Sequence, residues 1–570
     1  MNTAYWLNST WMWRQRGELA ALRRATHCVA ETQAAVLREI LSQNRHTEFG
    51  VAHGFTEIDC PADFARRVPP STYDHYREAI KKITGGKANV LTAQPVRRFE
   101  PTSGSSGGEK LIPYTQSLRA QFQRGVGAWI ADLMQTRPAV RLGRAYWSIS
   151  PALTGKRVTA GGIPIGFDDD TAYLGTVERF ALKKLLAVPA AMPRFTEVEN
   201  FRYCTLLHLI AAEDLALISI WSPTFLTAML APLEQWSERA CRDLREGTVS
   251  LPNPDDDVPP ELYAKARARK HRAARVESIL SSSLSLAEKL MRLWPRLALI
   301  SCWADGGSAR YLRQLKEFFP HVEVQPKGLL ATEAFVSFPL IDRPGAALAI
   351  RSHFFEFIAA DGSRTELRTA DQLERGGKYQ VVITTGGGLY RYQLGDVIEV
   401  VGFENQCPLV RFIGRADRVS DLVGEKLSEA HVREVLDHAF AAHDIAQRFS
   451  MVVPMTDLRC YRLYLQEADG QSTPAVLDSL AESIELGLEK NPYYCHAIQM
   501  RQLSQLEIVP LAASGESAWA VYERVCLARG QRLGDIKPAI LHDWSGWPEA
   551  FKKLVELRRT NSANSFSATA

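Results

Sequence analysis

The segment Thr102–Lys110, TSGSSGGEK, combines three serines, one threonine, three glycines and a terminal lysine. Glycines let successive backbone N–H groups converge on an anion, hydroxyl groups add hydrogen-bond donors, and lysine adds a positive charge. This composition is typical of a loop that closes over phosphates. From the residue types alone, an ordinary polar loop explains the segment equally well.

Two other chemistries have motifs that fit the same place less well. Gly104–Gly108 formally satisfies GxSxG, the serine nucleophile motif of α/β-hydrolases, which needs a helix directly after the serine. Pro113 removes a backbone donor where that helix would form. The Walker phosphate loop fails because Glu109 stands at its second glycine and Leu111 replaces its hydroxyl residue. The hydrolase therefore stays a distant alternative.

A resemblance to adenylate-forming enzymes decides between the remaining alternatives. TSGSSGGEK is similar to their phosphate loop TSGTTGxPK, with Ser105 and Ser106 at the hydroxyl positions. GLLATEA, residues 328–334, resembles their YGxTE-like element at Thr332 and Glu333. GLYRYQLGDVIEV, residues 388–400, looks very like the GLYRYRVGD segment of the plant acyl acid amido synthetases. Those enzymes conjugate auxin, jasmonate or benzoates to amino acids.

The resemblance covers most of the chain, from about Ala35 to Asp543. FIGRADRVSDLVGEKLSEAHV is similar to the GRxDxxIKxxG segment that links the two domains of these enzymes, and it places a hinge at Asp417. The resemblance is weakest between Arg137 and Pro252, where the acyl pocket is expected.

The resemblance implies ATP as a substrate and Mg²⁺ as its partner ion, which Glu333 helps to bind through the phosphates and so takes part in catalysis. The resemblance also implies a set of nucleotide contacts. The phosphates are bound by Ser103, Ser105, Ser106, Gly107 and Lys110, and the adenine is supported by Gly306 and Gly307. Thr332 contacts the nucleotide, Asp396 binds the ribose, and Arg415 binds the ribose or a phosphate. Without the resemblance, Asp396 is explained as a turn residue after Gly395, and Arg415 as a solvated arginine at a strand end.

The catalytic lysine implied by the resemblance is Lys537. AASGES, residues 512–517, imitates the SGK ending of acyl-CoA synthetases, but Glu516 stands where the lysine belongs. GDIKPAI resembles the lysine-before-proline segment of the amido synthetases. A lysine on a mobile domain can enter for one half-reaction and then leave. A surface lysine before a proline is the competing explanation.

Two positions depart from the resemblance. Leu329 occupies the place of a tyrosine that commonly stacks near the adenine. This departure puts the affinity for the nucleotide, or the selectivity for its base, in doubt. Gly424 in LVGEK resembles the glycine that admits pantetheine in CoA ligases, which questions the identity of the acceptor.

The composition limits the class of protein that these motifs belong to. The chain has 570 residues, 46% of them hydrophobic, and a formal net charge of +4, so we expect a soluble protein with no nucleic-acid partner. Nine cysteines are scattered without CxxC or HExxH motifs, which favours a reduced, cytoplasmic protein. The hydrophobic runs predict neither a signal peptide nor a membrane span, and hence no membrane partner.

Hydrophobic periodicity predicts how the elements are organised. We expect helices over the first ~95 residues and around Gln116–Gln135 and Leu206–Trp236, with a basic, solvated helix after residue 260. β-rich runs closed by glycine follow residue 297. We predict an α/β fold whose large N-terminal domain, residues 1–416, binds ATP and the acid. A small mobile α+β lid, residues 417–560, and a disordered tail, residues 561–570, follow.

The sequence thus predicts a ligase that adenylates an acyl or aryl acid and transfers the acyl group to an amino acid, releasing AMP and pyrophosphate. An acyl-CoA ligase and a silent nucleotide-binding homologue are the alternatives. The partners we expect are the two small-molecule substrates, with a monomeric enzyme. Tyr146, Trp147, Trp221 and Phe225 are candidates for an aromatic-acid pocket, although such residues more often form core.

Overall fold

The computed structural model describes residues 3–103, 109–148, 157–166, 184–189, 192–254, 258–259, 262, 267–360, 367–416, 418–470, 472–531 and 533–555. The chain divides into two compact units between Ile413 and Gly414. The predicted roles of the two domains stay predictions.

The α-helices of the first unit in the described ranges are α1 (Thr3–Ala25), α2 (Val29–Asn44), α3 (Glu48–Ala52), α4 (Pro61–Arg67), α5 (Tyr73–Thr84), α6 (Gln116–Thr136), α7 (Val198–Ala211), α8 (Pro223–Leu230), α9 (Ser237–Glu246), α10 (Lys270–Leu280), α11 (Leu286–Leu293) and α12 (Leu312–Phe318). Its strands are β1 (Arg98–Ser103), β2 (Glu109–Tyr114), β3 (Arg144–Trp147), β4 (Arg157–Val158), β5 (Pro164–Ile165), β6 (Leu215–Ser219), β7 (Leu299–Cys302), β8 (Glu323–Pro326), β9 (Ser337–Phe338), β10 (Ala346–Leu348), β11 (Phe354–Ala359), β12 (Arg368–Thr369), β13 (Lys378–Thr384), β14 (Tyr392–Glu404) and β15 (Cys407–Arg415). The helices predicted for the first ~95 residues are confirmed.

Three sheets organise the described part of the first unit. Strands β3, β6, β7 and β8 form a parallel sheet in the order β3-β6-β7-β8. A seven-stranded sheet has the order β12-β11-β13-β14-β15-β10-β9, and a smaller sheet has the order β2-β1-β5-β4. Strands β6 and β7 are buried along their whole length, as expected for a parallel sheet covered on both faces.

Helix α6 follows strand β2 after one residue and packs against helix α1. Thr115 caps its N-terminus, where the side chain accepts a hydrogen bond of 3.1 Å from the Leu118 N–H. Its small residues allow close packing, since a Cβ added at Gly125 would lie 2.3 Å from the Phe335 ring. The helix therefore starts where β2 ends and supports elements far away in sequence.

Two helical predictions need correction. The block predicted at Leu206–Trp236 contains strand β6, because its run LALIS is buried on both faces and has no helical period. The basic helix, observed as α10, is not merely solvated. Arg272 is buried and donates hydrogen bonds of 2.8 and 2.7 Å to the carbonyls of Ile210 and Leu293, which anchors the helix.

The second unit is an α+β module. Its elements are β16 (Val419–Ser420), β17 (Leu427–Ser428), α13 (Glu429–Ala442), β18 (Gln447–Met455), β19 (Cys460–Glu467), α14 (Pro474–Leu488), α15 (Pro492–Gln499), β20 (Glu507–Pro510) and α16 (Ala518–Ala528). Strands β18, β19 and β20 form one sheet, with the β18–β19 pair antiparallel and the β19–β20 pair parallel. Leu436, Leu480 and Ile484 are fully buried where α13 and α14 pack together.

Candidate active site

The arms of the predicted phosphate loop form an antiparallel hairpin. Strands β1 and β2 pair from Arg98↔Tyr114 to Ser103↔Glu109. The tip, residues 104–108, lies outside the described residues, and with it Ser105, Ser106 and Gly107. Lys110 pairs with Thr102, and its Nζ lies 5.8 Å from the centroid of the Tyr73 ring. The hairpin therefore fixes where the loop leaves and returns.

Thr332 and Glu333 lie together in a tight turn. Leu330 and Phe335 form an antiparallel bridge around it, and the Ala331 N–H donates a hydrogen bond of 3.0 Å to the Ala334 carbonyl. The Glu333 side chain is largely buried at 8% exposure. We call residues 331–334 the acidic turn.

One hydrogen bond joins the acidic turn to the hairpin. The Tyr114 hydroxyl, at the end of β2, donates to the Thr332 carbonyl over 2.7 Å. The residues separated by 218 positions in sequence are thus held in contact. The structure brings Thr332 and Glu333 to the strand that carries Lys110.

Leu329, where the resemblance places a tyrosine near the adenine, belongs to the hydrophobic core. Its side chain is 5% exposed, and its backbone N–H donates to the Ser337 hydroxyl over 2.9 Å. The side chain therefore packs inward with Phe335 and Phe338 in the same core cluster.

Asp396 lies in the middle of strand β14 and does not end a turn, which corrects the expectation from its sequence. Gln380 pairs with Val397, and Val382 pairs with Gln393. Between these two pairs, β14 advances by four residues while β13 advances by two, so β14 contains a bulge. Gly395 has φ of +85°, which accommodates this bulge. A bulge turns a side chain away from the regular alternation of a strand. Asp396 is buried at 6% exposure on this irregular segment.

The residues before Asp396 in the GLYRY motif are structural. The Tyr390 hydroxyl donates to the Leu91 carbonyl over 2.7 Å, and the Tyr390 carbonyl accepts from the Tyr76 hydroxyl over 2.7 Å. Arg391, at φ of +48°, is buried and donates to both carboxylate oxygens of Glu356 at 2.8 Å. The motif thus anchors the start of β14, and hence the position of the bulge.

The Asp305–Gly306–Gly307 segment follows β7 at the carboxyl edge of the parallel sheet, the edge at which open α/β folds bind ligands. Gly306 adopts φ of +59° and starts the 3₁₀ helix Gly306–Tyr311. Burial raises the pKa of Asp305 to about 6, against an opposing hydrogen bond from the Phe412 N–H and the charge of Arg411. The segment is therefore held against β15.

The aromatic residues predicted for an acid pocket have different surroundings. Tyr146 is 1% exposed and belongs to the core. The ring centroid of Trp147 lies 6.2 Å from that of Trp11 and 6.3 Å from that of Trp129. Trp221, at the end of β6, has the Lys327 ammonium 5.0 Å from its ring centroid. Lys327 had no motif to mark it in the sequence, and only the parallel sheet brings it to this edge.

In the second unit, Lys537 has a fixed backbone and an exposed side chain. Its carbonyl accepts a hydrogen bond of 3.0 Å from the Tyr522 hydroxyl, and the neighbouring Ile536 is buried. The Val452 N–H donates to the Ile540 carbonyl over 2.7 Å, which ties the following segment to β18. Arg415 ends β15, and the predicted hinge Asp417 lies outside the described residues.

Gly424 and Glu516 also have clear surroundings. Gly424 has φ of +107°, and a Cβ added there would meet nothing within 4 Å. The loop around it is built on the buried Glu425, which accepts hydrogen bonds of 2.7 and 2.8 Å from the N–H groups of Leu422 and Val423. Glu516 forms an ion pair with Arg524 and thereby holds the first turns of α16.

No cluster of three or more His, Cys, Asp or Glu side chains arranged to hold a metal ion occurs among the described residues. Among the helices of the described ranges, none combines the length and the apolar character needed to cross a membrane.

Comparison with known proteins identifies relatives along most of the chain. Indole-3-acetic acid-amido synthetase GH3.15 of Arabidopsis thaliana is 26% identical over 450 residues, which cover 75% of this chain and 74% of that protein. Indole-3-acetic acid-amido synthetase GH3.3 of the same plant is 24% identical over 446 residues, covering 74% and 73%. The structure of AtGH3.15 acyl acid amido synthetase in complex with 2,4-DB superimposes with a TM-score of 0.82 at 21% identity and covers 95% of this chain and 96% of that chain.

These likenesses confirm the predicted α/β fold class and the resemblance to the amido synthetases. Residues 18–324 match the GH3 family N-terminal domain, and residues 346–415 match the GH3 family central domain. The two matches together span more than half of the 570 residues, and the chain therefore belongs to the GH3 family.

Proposed function

We propose that this protein adenylates a carboxylic acid with ATP and transfers the acyl group to the amine of an amino acid. The observation that carries the proposal is the contact between the Lys110 hairpin and the acidic turn through Tyr114 and Thr332, within a chain of the GH3 family. The amido synthetase relatives support the acceptor as an amine.

In the first step, an oxygen of the acid's carboxylate attacks the α-phosphorus of ATP. A new O–P bond forms, and the bond to pyrophosphate breaks. Negative charge accumulates around the phosphates, so positioning and electrostatic stabilisation account for most of the catalysis. The hairpin loop with Lys110 would hold the phosphates, Asp396 would accept hydrogen bonds from the ribose hydroxyls, and Gly306 and Gly307 would lie against the adenine.

Glu333 fits a site for Mg²⁺ held jointly with the phosphates. Mg²⁺ takes one or two carboxylates together with substrate phosphates, and Glu333 supplies one buried carboxylate. The ion would neutralise phosphate charge. We further propose that the second unit supplies the Lys537 ammonium to the adenylation step, with Arg415 contacting ribose or phosphate and a hinge at Asp417.

In the second step, the amino acid's nitrogen attacks the acyl carbonyl and expels AMP, and the nitrogen then loses a proton to give the amide. A CoA thiol is the alternative acceptor, because Gly424 has a positive φ and open space around it in the loop that Glu425 holds. We place the enzyme in the cytoplasm because its cysteines are unpaired in the described residues.

The test is pyrophosphate release with MgATP over a panel of aryl and aliphatic acids, with hydroxylamine to trap the acyl-adenylate. Lys537→Ala is compared with Lys490→Ala, which removes another exposed lysine of the second unit. We expect acid-dependent release that is lost only in Lys537→Ala, and amide formation when amino acids are added. A thioester formed from CoA would favour the alternative acceptor, and no release with any acid would overturn the adenylation proposal.

A further inference from the structure

A buried imidazole lies between two of the elements described above. His353 is fully buried, and its Nε2 accepts a hydrogen bond of 3.1 Å from the N–H of Phe335, the residue directly after the acidic turn. Its Nδ1 lies 3.0 Å from Oε1 of Gln121 on helix α6. That same Oε1 accepts a hydrogen bond of 2.9 Å from the Gly386 N–H.

These contacts determine where the protons lie. A backbone N–H can only donate, so the Phe335 N–H makes Nε2 an acceptor, and the Gly386 N–H identifies the accepting end of the Gln121 amide. Nδ1 must therefore carry the imidazole proton and donate it to Gln121. Burial, with the charge of Arg124 as a lesser cause, lowers the pKa of His353 to about 3, so the ring stays neutral.

Gln121 also fixes the glycine segment that precedes the GLYRY motif. The Gly386 carbonyl accepts a hydrogen bond of 2.7 Å from the Thr115 hydroxyl, so both backbone groups of this glycine are bound to α6 or its cap. A Cβ added at Gly386 would lie 2.4 Å from the Ser117 hydroxyl oxygen. The close approach of this segment to the start of α6 therefore requires glycine at position 386.

Helix α6 and the end of β2 directly before it thus contact the acidic turn, the Phe335 ring that follows this turn, and the glycine segment. Tyr114, two residues before the helix, binds the acidic turn, Gln121 binds Gly386, and Gly125 packs against the Phe335 ring. His353 connects Gln121 to the backbone at the end of the turn, because its two ring nitrogens bond to these two partners. Every polar atom of the imidazole is used in these contacts.

We propose that His353 and Gln121 are positioning residues for adenylation, which set the place of Thr332 and Glu333 relative to the glycine segment 386–388. The inference rests on the proposed function, since the acidic turn matters only if it contacts MgATP. A displacement of about 1 Å in such a turn is enough to cost a large part of the rate. Because the ring does not titrate near neutral pH, the arrangement is insensitive to physiological changes of pH.

The variants that test the proposal remove or restore the two hydrogen bonds. His353→Phe keeps a ring of similar size but leaves the Phe335 N–H without its acceptor and removes one of the two hydrogen bonds that Gln121 Oε1 accepts. His353→Gln retains an acceptor and a donor. Asn8→Leu is the matched control, because Asn8 is buried and its amide donates at 3.1 and 3.0 Å to the carbonyls of Arg141 and Gly143, neither of which belongs to the acidic turn or the glycine segment.

The measurements are the Kd of MgATP by calorimetry, kcat and KM for pyrophosphate release, and the thermal unfolding midpoint. We expect His353→Phe to weaken MgATP binding and to lower kcat by about tenfold or more each, and His353→Gln to recover most of both. Asn8→Leu should lower the unfolding midpoint by about as much as His353→Phe does, and it should leave Kd and kcat within about twofold of the wild type.

Normal Kd and kcat in a folded His353→Phe variant would overturn the proposal, and so would equal losses in Asn8→Leu. If the wild type releases no pyrophosphate with any acid, the adenylation proposal fails by itself. The Kd values for MgATP then still decide whether His353 positions the nucleotide site.

Discussion

Arg391 and Glu356 form a bidentate ion pair inside the first unit, with side-chain exposures of only 5% and 6%. The remaining guanidinium nitrogen of Arg391 donates to the carbonyls of Ala65 and Val68 at 2.9 and 2.7 Å. The pair therefore joins β11, the start of β14 and the end of helix α4. Burial raises the pKa of Glu356, and the Arg391 charge opposes that rise.

Replacing Arg391 should be strongly destabilising, because it leaves the Glu356 carboxylate buried without a partner. We expect Arg391→Met to lower the free energy of unfolding by about 3–5 kcal/mol, measured by urea denaturation followed by circular dichroism. The double variant Arg391→Met/Glu356→Leu should recover part of this loss, since no uncompensated charge remains. A double variant less stable than Arg391→Met would contradict this account.

The stability of the first unit should depend on pH through Asp305. Its pKa is raised from 3.8 to about 6, so the folded state binds a proton more tightly than the unfolded state does. Stability from this group is therefore present at low pH and declines as the pH rises from about 4 to about 6. Asp305→Asn keeps an acceptor for the Phe412 N–H and lacks this decline. The unfolding midpoint of the variant minus that of the wild type should grow over this range and then level off, and parallel curves would refute the assignment.

Asp396 should be needed for ATP affinity through the ribose. We expect Asp396→Ala to raise the KM for ATP by about tenfold to a hundredfold, the value of hydrogen bonds to a charged group. The wild-type enzyme should also bind 2′-deoxyATP or 3′-deoxyATP more weakly than ATP. In the Asp396→Ala variant, the affinities for ATP and for these deoxynucleotides should be nearly equal. If Asp396→Ala discriminates between ATP and the deoxynucleotides as strongly as the wild type does, another group binds the ribose.

The bulge at Gly395 should affect nucleotide binding beyond its effect on stability. Gly395 and Gly376 have φ of +85° and +79°, so an alanine at either position costs about 1–2 kcal/mol of backbone strain. Only Gly395 adjoins Asp396. We expect similar losses of stability in Gly395→Ala and Gly376→Ala, but an increased KM for ATP in Gly395→Ala alone, measured by pyrophosphate release. An equal change of KM in both variants would argue that the bulge has no special role.

Local sequence was sufficient for elements whose signal lies within a few residues. The runs KYQVVIT and CYRLYLQE are strands β13 and β19, as their β-branched and aromatic residues predict. The strand LALIS was assigned to a helical block because a short apolar run buried on both faces has no period. Its parallel neighbours start at Arg144 and Leu299, too far along the chain to inform a local pattern.

The site shows the same limit. Motifs predict Thr332, Glu333 and Asp396 as site residues, but the bulge that carries Asp396 depends on pairing with β13, and from the sequence it is interpreted as a turn. His353 and Gln121 lie 232 residues apart, and a single histidine directly before an apolar strand gives no sign of such a contact. Arg391 had a motif, yet only the structure assigns its role to the core.

The long connection between the first helices and the GLYRY motif has a consequence for synthesis. The Ser71 hydroxyl donates to the Tyr390 carbonyl over 2.9 Å, across 319 residues of chain. At about 5–20 residues per second, a ribosome needs roughly 16–64 s to make the second partner after the first. Helices α2 and α4, whose apolar side chains form one core cluster with Phe354 and Tyr390, must wait through that interval with that face uncovered. A nascent chain of this protein should therefore depend on chaperones until the last strands of the first unit emerge, and we expect chains that stop before Tyr390 to be insoluble.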